Sequence, residues 1–348
     1  MNDLAKIKLL KQKVGCEFNH LISNNICTEI SLVDNTNIYN GVIRHHSDYE
    51  KLEILKIISS FNHLKKLNLR WNYLKNLPET FANLNNLTFL DLGSNYLKKV
   101  PSSLNNMTNL EYLNLGVNEL NEVPDFIANF ENLHTLMLHK NTIREIPIEY
   151  KNLKKVELLN LYLNTIKEIP EFIFEYKEMK SFAWGISKVE ELPDKISQLK
   201  KLESLVIATN KIQYIPDSLC ELANLKHLAL DKNNIKELPK DIGNLKNLEQ
   251  FTLYQNKLKS LPESFSNLSK LVRLNLSWNN FKQFPTSLVN MNSLQWLGYY
   301  NNTQTTIPDM KSVNIDIILK REFEYFKSKN MKIGNFLTSN NQFIKKEI

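Results

Sequence analysis

Apolar and polar residues follow a pattern that returns every 23 residues through most of the chain. Between residues 66 and 70, apolar and polar positions alternate with a period of two, which predicts a short strand with one buried face. Because one copy of the pattern cannot bury its own apolar residues, the copies are expected to stack into a solenoid of parallel strands. The first copy places its apolar residues at Leu64, Leu67, Leu69, Leu74, Leu77, Phe81 and Leu84.

Proline and asparagine each occupy one position of this period, and we call such a recurring position a column. All eleven prolines lie in one column, at Pro78, Pro101, Pro124, Pro147, Pro170, Pro193, Pro216, Pro239, Pro262, Pro285 and Pro308. Proline lacks an N–H, so it predicts the start of a segment outside the strand ladder, too short here for an α-helix and suited to a 3₁₀ or extended turn. The other column reads Asn72, Asn95, Asn118, Asn141, Asn164, Ser187, Asn210, Asn233, Asn256, Asn279 and Asn302.

The asparagine column is expected to be structural. Each asparagine follows a predicted strand where the chain must turn, and its amide can satisfy turn backbone groups that would otherwise be buried without partners. Together the columns resemble the leucine-rich repeat family, whose pattern is L-x-x-L-x-L-x-x-N-x-L-x-x-L-P-x-x-F/I-x-x-L-x-x. The copies begin at Leu64, Leu87, Leu110, Leu133, Val156, Met179, Leu202, Leu225, Leu248, Leu271 and Leu294.

The resemblance covers residues 64–308 and is nearest to the 23-residue class of bacterial repeat proteins and of intracellular Ras-pathway-type scaffolds. It implies an α/β repeat solenoid, a curved horseshoe arc with parallel strands on the concave face, short 3₁₀ or extended segments on the convex face, and helical caps. Members of such a family mostly share binding and no single chemistry, so the fold alone does not identify the function.

The flanking segments are expected to cap the repeats. In residues 1–63, Ser47 and Glu50 have the spacing of a capping box and predict a helix through about residue 61. Its apolar residues Leu52, Leu55, Ile58 and Phe61 are expected to cover the first repeat. In residues 309–348, a capping helix over 313–329 and a basic tail are predicted, the helix from the spacing of Ile315, Ile318, Leu319, Phe323 and Phe326.

Residues 3–14 predict a further helix that has two interpretations. Apolar residues at Leu4, Ile7, Leu10 and Val14 share one side, and lysines occupy the others. A basic amphipathic helix of this kind can lie on a membrane surface. A terminal helix docked on the cap is the favoured interpretation.

Composition indicates a cytoplasmic protein without a membrane span. No apolar stretch approaches the ~18 residues that a spanning helix needs, and the N-terminus does not read as a secretory signal peptide. Three cysteines without close spacing favour a reducing compartment. The alternative is a host-delivered or surface effector or adhesin, exported without a recognisable N-terminal signal peptide.

The net charge of +7 does not indicate a nucleic-acid binder, because no repeat concentrates the basic excess. In one column the side-chain charge instead alternates in sign, so stacked repeats would place opposite charges side by side. Such a row suits solubility and register, whereas a phosphate track needs one sign. The residues are Glu157, Lys180, Glu203, Lys226 and Glu249.

Catalytic and cofactor signatures are not found in the sequence. His45 and His46 lie near Asp48 and Glu50, but adjacent histidines at a helix start are usually solvated and have no partner at ligand spacing. No glycine-rich phosphate loop is present. We therefore expect no enzyme activity and no cofactor, and a monomer by default.

The outward positions of the strands give the candidate binding site. Most are small or polar, including Asp91 and Asn114, and against them stands an apolar group across repeats two to six, here called the concave cluster: Phe89, Tyr112, Val117, Met137, His139, Leu158, Tyr162, Leu163 and Ile186. Clustered exposed aromatics are typical of protein interfaces. Alternatively, these residues pack only on each other, or Leu163 and Ile186 turn inward. A second aromatic group lies in repeats nine to eleven, where the C-terminal segment could cover it: Tyr254, Trp278, Trp296 and Tyr300.

These observations predict a non-catalytic module or scaffold that binds a protein or peptide partner on the concave face.

Overall fold

A computed structural model describes residues 1–33, 41–186, 189–289, 291–302 and 316–318 of the 348-residue chain. These residues form an open sheet of fourteen strands, in which the spatial order of the strands equals their order in the sequence. The hairpin of β1 (Asn19–Ser23) and β2 (Ile26–Ser31) is antiparallel, and the later pairs are parallel. The solenoid expected from the period is confirmed.

The repeats contribute one strand each, and neighbouring strands pair in constant register. Phe89, for example, lies opposite Tyr112, one period further along the chain. The strands are β3 (Lys66–Asn68), β4 (Phe89–Asp91), β5 (Tyr112–Asn114), β6 (Thr135–Met137), β7 (Leu158–Asn160), β8 (Ser181–Gly185), β9 (Ser204–Ala208), β10 (His227–Ala229), β11 (Gln250–Thr252), β12 (Arg273–Asn275), β13 (Trp296–Gly298) and β14 (Asp316–Ile318).

Short 3₁₀ segments form the convex side, as the proline column predicts. Pro78 directly precedes the first of them, and the Phe81 that follows is fully buried. Because the 3₁₀ turn uses i→i+3 hydrogen bonds, it fits the few residues between proline and the next strand. The segments are Glu79–Asn83, Ser102–Asn106, Asp125–Asn129, Ile148–Asn152, Glu171–Glu175, Asp194–Gln198, Asp217–Glu221, Ile242–Asn244, Glu263–Asn267 and Thr286–Leu288.

The asparagine column forms a ladder of hydrogen bonds between repeats. The Oδ1 atom of Asn95 accepts from the backbone N–H of Leu74 at 2.9 Å. Its Nδ2 atom donates to the carbonyl oxygens of Leu69 and Leu92 at 3.1 and 2.9 Å. Each buried amide thus satisfies backbone groups of two neighbouring repeats, which confirms the structural interpretation. Ser187, the exception in the column, lies outside the described residues.

The position just before each residue of the asparagine column has a left-handed backbone, which the sequence did not indicate. Glycine usually fills this conformation, but here φ is 58° at Val117, 62° at Leu163 and 63° at Ile186. A β-branched residue at positive φ is strained and persists only where its surroundings fix it. The N–H of Val117 donates to the carbonyl oxygen of His139 at 2.7 Å, so the stacked repeats hold the strained turn in place.

Two helices lie at the N-terminal end of the repeats. The helix α2 (Asp48–Ile58) has the predicted capping box between Ser47 and Glu50. Leu55 and Ile58 in this helix, and Phe61 just after it, are fully buried. Leu52 is only half-buried, whereas Ile54, which the sequence analysis omitted, is buried.

The helix α1 (Asp3–Val14) docks on this cap. Ile7, Leu10 and Val14 are buried, and only Leu4 of the predicted apolar side is exposed. The apolar side therefore packs against the protein, which agrees with the docked interpretation of this helix.

The C-terminal end differs from the prediction of a helix over 313–329. Asp316–Ile318 is a strand, β14, paired in parallel with Trp296–Gly298. The helix prediction is therefore wrong for these three residues. A strand satisfies the backbone groups that β13 leaves open at the sheet edge, and two successive isoleucines favour strand geometry. The rest of 313–329 and the predicted tail lie outside the described residues.

The alternating charge column forms the expected row. Lys180 pairs with Glu157 at 2.8 Å and Lys226 with Glu203 at 2.7 Å. Each exposed pair contributes only ~0–1 kcal/mol, so the row supports register and solubility more than stability.

Candidate protein-binding surface

Two aromatic rings form the best-defined part of the concave cluster. Phe89 on β4 and Tyr112 on β5 lie opposite each other and stack, with ring centroids 4.3 Å apart and an angle of 11° between the ring planes. Both residues are half-buried. Their rings project from the outer face of the sheet and add nothing to the core. The core side of the same two strands is occupied by Leu90 and Leu113, which are fully buried.

The same row of the sheet continues to Leu158, but not directly. Thr135 on β6 lies between Tyr112 and Leu158, so the apolar row is interrupted by one threonine. Met137 occupies the next outward position on β6, where it pairs with Asn114 and Asn160. The predicted residues therefore share one face, with polar residues among them.

His139 is buried, although the sequence analysis treated it as exposed. Only 6% of the residue is accessible, because its ring lies on Gly116, where an added Cβ would come within 2.3 Å of His139 Cε1. Burial lowers the pKa of His139 to about 4, and the charges of Arg70 and Lys140 act in the same direction. The imidazole is therefore neutral at physiological pH.

Tyr162 covers a glycine in the same way but leans toward the opposite end of the solenoid. A Cβ on Gly185 would lie 2.5 Å from Tyr162 Cε2, so the Tyr162 ring rests on the following repeat. His139 rests on the preceding repeat. These two neighbours in one column consequently do not stack on each other.

The left-handed column forms one rim of the concave cluster. Val117 and Leu163 are half-buried, and 44% of Ile186 is exposed. Leu163 and Ile186 therefore do not turn into the core. Their left-handed backbone could not be inferred from sequence spacing.

A polar network beside the aromatic pair, two residues further along the same strands, was missed from the sequence. Asp91 Oδ1 accepts from the N–H of Gly93 at 2.8 Å and from Asn114 Nδ2 at 2.9 Å. Both Asp91 and Asn114 are buried, against the expectation that they face solvent. Burial raises the pKa of Asp91, partly offset by the Gly93 N–H, by the Arg70 charge and by Asn114. The sequence signal for this burial was the pair of glycines in neighbouring repeats, Gly93 and Gly116. Because glycine has no side chain, the side chains of adjacent residues can pack closely over it and become buried.

The residues of the second aromatic group differ in how far they are exposed. Trp278 is 41% exposed, Trp296 is half-buried beneath the guanidinium of Arg273 at 5.1 Å, and Tyr300 is buried, contrary to expectation. Burial raises the pKa of Tyr300 to about 12. Tyr254 is half-buried, and its N–H donates to Asp231 Oδ1 at 2.8 Å.

Other candidate chemistry is accounted for by local contacts. His45 accepts from Arg44 Nε at 2.8 Å, and His46 Nε2 lies 3.2 Å from the carbonyl oxygen of Lys13. Within the described ranges, no group of three His, Cys, Asp or Glu side chains could hold a metal ion. Cys220 fills the convex side as a buried thiol. No helix in the described part of the chain is long and apolar enough to cross a bilayer.

Comparison with known proteins identifies the repeats. The family model for the leucine-rich repeat region matches residues 44–142 and 213–314. A leucine-rich repeat protein of Leptospira interrogans is 31% identical with a TM-score of 0.65, over 76% of this chain and 74% of that one. No curated protein sequence matches the chain.

Two further solved structures share the fold. An internalin of Listeria monocytogenes has a TM-score of 0.67 over 91% of this chain and 94% of that one, and at 19% identity it shows the fold alone. The plant peptide hormone receptor RGFR1, in complex with RGF2, is 25% identical with a TM-score of 0.63, over 76% of this chain and 48% of that receptor chain.

Proposed function

Because the chain belongs to the leucine-rich repeat family, we propose that it is a non-catalytic interaction module or scaffold that binds a protein or peptide partner on its concave face. The stacked pair of Phe89 and Tyr112 carries the proposal. Two rigid aromatic rings on the outer face of a sheet contribute little to the core, whereas buried aromatics are the commonest anchors of protein interfaces. A partner footprint of about 800 Å² would cover the concave cluster.

The surrounding chemistry supports a protein partner over nucleic acid. Lysines of the charge row are paired with glutamates, as at Lys180 and Lys226. A phosphate backbone is bound by unpaired basic residues that follow its track. The receptor complex with RGF2 supplies a precedent for a ligand-bound protein of this fold.

Affinity capture from the native cell, with wild type and the Tyr112→Ala/Tyr162→Ala variant as baits, tests the proposal. The purified partner should bind the variant about 30-fold more weakly, equivalent to ~2 kcal/mol, because two aromatic anchors are lost. Both residues are half-buried, so a melting curve must show that the variant still unfolds cooperatively.

The matched control neutralises an exposed ion pair away from the cluster. Glu203→Gln/Lys226→Gln removes the pair at 2.7 Å and should leave the affinity within about threefold, since such pairs contribute ~0–1 kcal/mol. Unchanged affinity in the tyrosine variant would move the site to the second aromatic group or to the chain ends.

We also propose a cytoplasmic location, which can be tested by measuring the redox state and accessibility of the three cysteine thiols. Cys16 is exposed, whereas Cys27 and Cys220 are buried, and burial raises the pKa of Cys27 to about 11. An alkylating reagent should therefore modify Cys16 in the native protein and the other two only after denaturation. A Cys16–Cys27 bridge in protein taken directly from cells would instead favour an exported protein.

A further inference from the structure

Asp231 is the one acidic residue of the repeats that is accessible on the concave face. The third, fifth, seventh and eighth positions of each repeat face outward, and all of them lie in the described ranges. Only Asp91 and Asp231 are acidic among them. Asp91 is 5% exposed and is enclosed by its hydrogen bonds with Gly93 and Asn114, whereas Asp231 is only half-buried.

The Asp231 carboxylate is held in place and keeps acceptor positions for a ligand. Its Oδ2 atom accepts from Thr252 Oγ1 and its Oδ1 atom from the N–H of Tyr254, both at 2.8 Å. An ionised carboxylate can accept about four hydrogen bonds, so about two positions are left. In the described part of the chain it forms no ion pair.

An ionised carboxylate without a counter-charge is unfavourable at this position. Burial raises the pKa of Asp231 to about 6, while the bonds from Thr252 and Tyr254 and the charge of Lys232 act in the opposite direction. At neutral pH the group is mostly ionised and destabilises the folded state relative to a neutral side chain. Groups whose pKa is shifted in this way are enriched at functional sites, where stability yields to binding.

The surroundings of the carboxylate suit a cationic side chain. Tyr254 follows Asp231 in the same column and is half-buried. Burial raises the pKa of Tyr254, and the Asp231 charge acts in the same direction, so phenol and carboxylate lie close together. An aromatic face attracts a cation and packs against the alkyl stem of lysine or arginine. A metal ion needs several ligands, and no suitable group of three exists in the described ranges.

Small side chains connect this site with the concave cluster. Tyr162 in repeat five and Asp231 in repeat eight are three strand spacings of about 4.8 Å apart, or about 14 Å. An extended chain covers that distance with about four or five residues. The fifth and seventh positions between them carry Ala183, Gly185, Val206, Ala208 and Ala229.

We propose that Asp231 binds a lysine or arginine side chain of the partner, in a segment that also contacts the concave cluster. The cation donates to the remaining acceptor positions of the carboxylate, and its alkyl stem lies on the Tyr254 ring. This basic residue stands about four or five positions from the residue that contacts Tyr162. The inference rests on the proposed function and adds the charge of the recognised segment.

Peptide selection on the full chain tests the proposal. Random linear peptides displayed on phage are enriched on the wild-type protein at neutral pH, and the enriched sequences are synthesised. Most should contain a lysine or arginine and should bind Asp231→Asn about tenfold more weakly, because a charge-assisted hydrogen bond becomes a neutral one. Asparagine fits the site, since its Oδ1 can accept from the N–H of Tyr254 and its Nδ2 can donate to Thr252 Oγ1.

Asp241→Asn is the matched control. Asp241 lies in the same repeat, is exposed and directly precedes the convex segment Ile242–Asn244. Its substitution changes the net charge of the chain by the same amount and should leave peptide affinity unchanged. Equal affinity of the enriched peptides for the two variants would overturn the proposal, and so would enrichment of peptides that lack lysine and arginine.

Exchanges in the peptide assign the effect to the pair of charges. Replacing its lysine by norleucine, or its arginine by citrulline, should weaken binding to the wild-type chain about tenfold. The same exchange should leave binding to Asp231→Asn nearly unchanged, because the interaction is already lost there. Equal weakening on both proteins would place the cation elsewhere.

The pH dependence of binding gives a readout that a structural role would not change. Affinity for wild type should fall as the pH drops through about 6, where Asp231 gains a proton. Tyr254, Tyr300 and Lys232 keep their charge state in this range, whereas His227 on β10, whose pKa burial lowers from 6.5, gains a proton nearby. The dependence should therefore persist in His227→Gln and disappear in Asp231→Asn.

The proposed function fails separately, if the Tyr112→Ala/Tyr162→Ala variant retains its affinity for the captured partner.

Discussion

Each asparagine of the turn column connects neighbouring repeats through one amide. Asn141 accepts from the N–H of Leu120 at 3.0 Å and donates to the carbonyl oxygens of Leu115 and Leu138, both at 3.0 Å. Since the residue is buried, its removal leaves the N–H of Leu120 without a partner and without access to water. The carbonyl oxygens of Leu115 and Leu138 each lose one of two amide donors and keep the bond from Asn118 or Asn164.

Asn141→Ala should therefore lower the free energy of unfolding by about 1–3 kcal/mol. Asn106 lies exposed on the convex side, and Asn106→Ala is the matched control, expected to change stability by less than about 0.5 kcal/mol. Urea denaturation of both variants measures the difference. Equal losses would refute the hydrogen-bond ladder as a source of stability.

Asp231 makes stability depend on pH. Its carboxylate accepts from Thr252 Oγ1 and from the N–H of Tyr254, both at 2.8 Å, yet burial raises its pKa to about 6. A carboxyl group with a raised pKa in the folded state binds more protons than in the unfolded chain. Its contribution to stability is therefore greatest below the unfolded pKa near 3.8 and is lost as the pH rises through about 6.

Asp231→Asn removes this titration. Between about pH 4 and pH 8, the difference in unfolding free energy should shift in favour of the variant by up to about 3 kcal/mol. Urea denaturation at a series of pH values measures the shift. A difference that does not vary with pH would show that the Asp231 pKa is not raised.

At the residue scale, the features that recur in every repeat could be predicted from the sequence, and those that depend on a single neighbour could not. The asparagine amides recur in one column and could be assigned, whereas the burial of His139 depends on the single glycine beneath it, Gly116. The left-handed turn at Val117 and Ile186 escaped prediction because β-branched residues normally avoid that conformation.

At the scale of elements, the N-terminal helix shows how burial decides between two interpretations. One apolar stripe predicts both a membrane-surface helix and a docked helix, but α1 packs on α2 with Leu10 fully buried and Leu4 48% exposed. The C-terminal apolar residues predicted a helix alone, and for Asp316–Ile318 that prediction is wrong. Ile318 fits a helical spacing, yet it lies in a strand that pairs with β13.

The docked cap predicts different effects of two similar substitutions in α1. Leu10→Ala should cost about 2–5 kcal/mol of unfolding free energy, because it empties a fully buried site. Leu4→Ala should cost less than about 0.5 kcal/mol. Thermal or urea unfolding measures both, and similar small effects would mean that α1 does not dock.

At the scale of the whole molecule, the constant period specifies the architecture. The same register from β3 to β13 carries each column along the sheet, so the face on which a residue lies could be assigned from its position in the repeat. The degree to which a residue is buried could not be assigned in this way, because it depends on the side chains of adjacent repeats. Phe89 and Tyr112 were expected as neighbours and stack, while Tyr300 was expected at the surface and is buried.

Hydroxyl-radical footprinting of the chain alone and with the captured partner tests the central claim most directly. Phe89, Tyr112 and Met137 should lose oxidation in the complex, because a partner on the concave cluster would shield them from solvent. The exposed Tyr214 and Trp278 should be oxidised equally in both states. Protection of Tyr214 or Trp278, with Phe89, Tyr112 and Met137 unchanged, would contradict a binding site in repeats two to six.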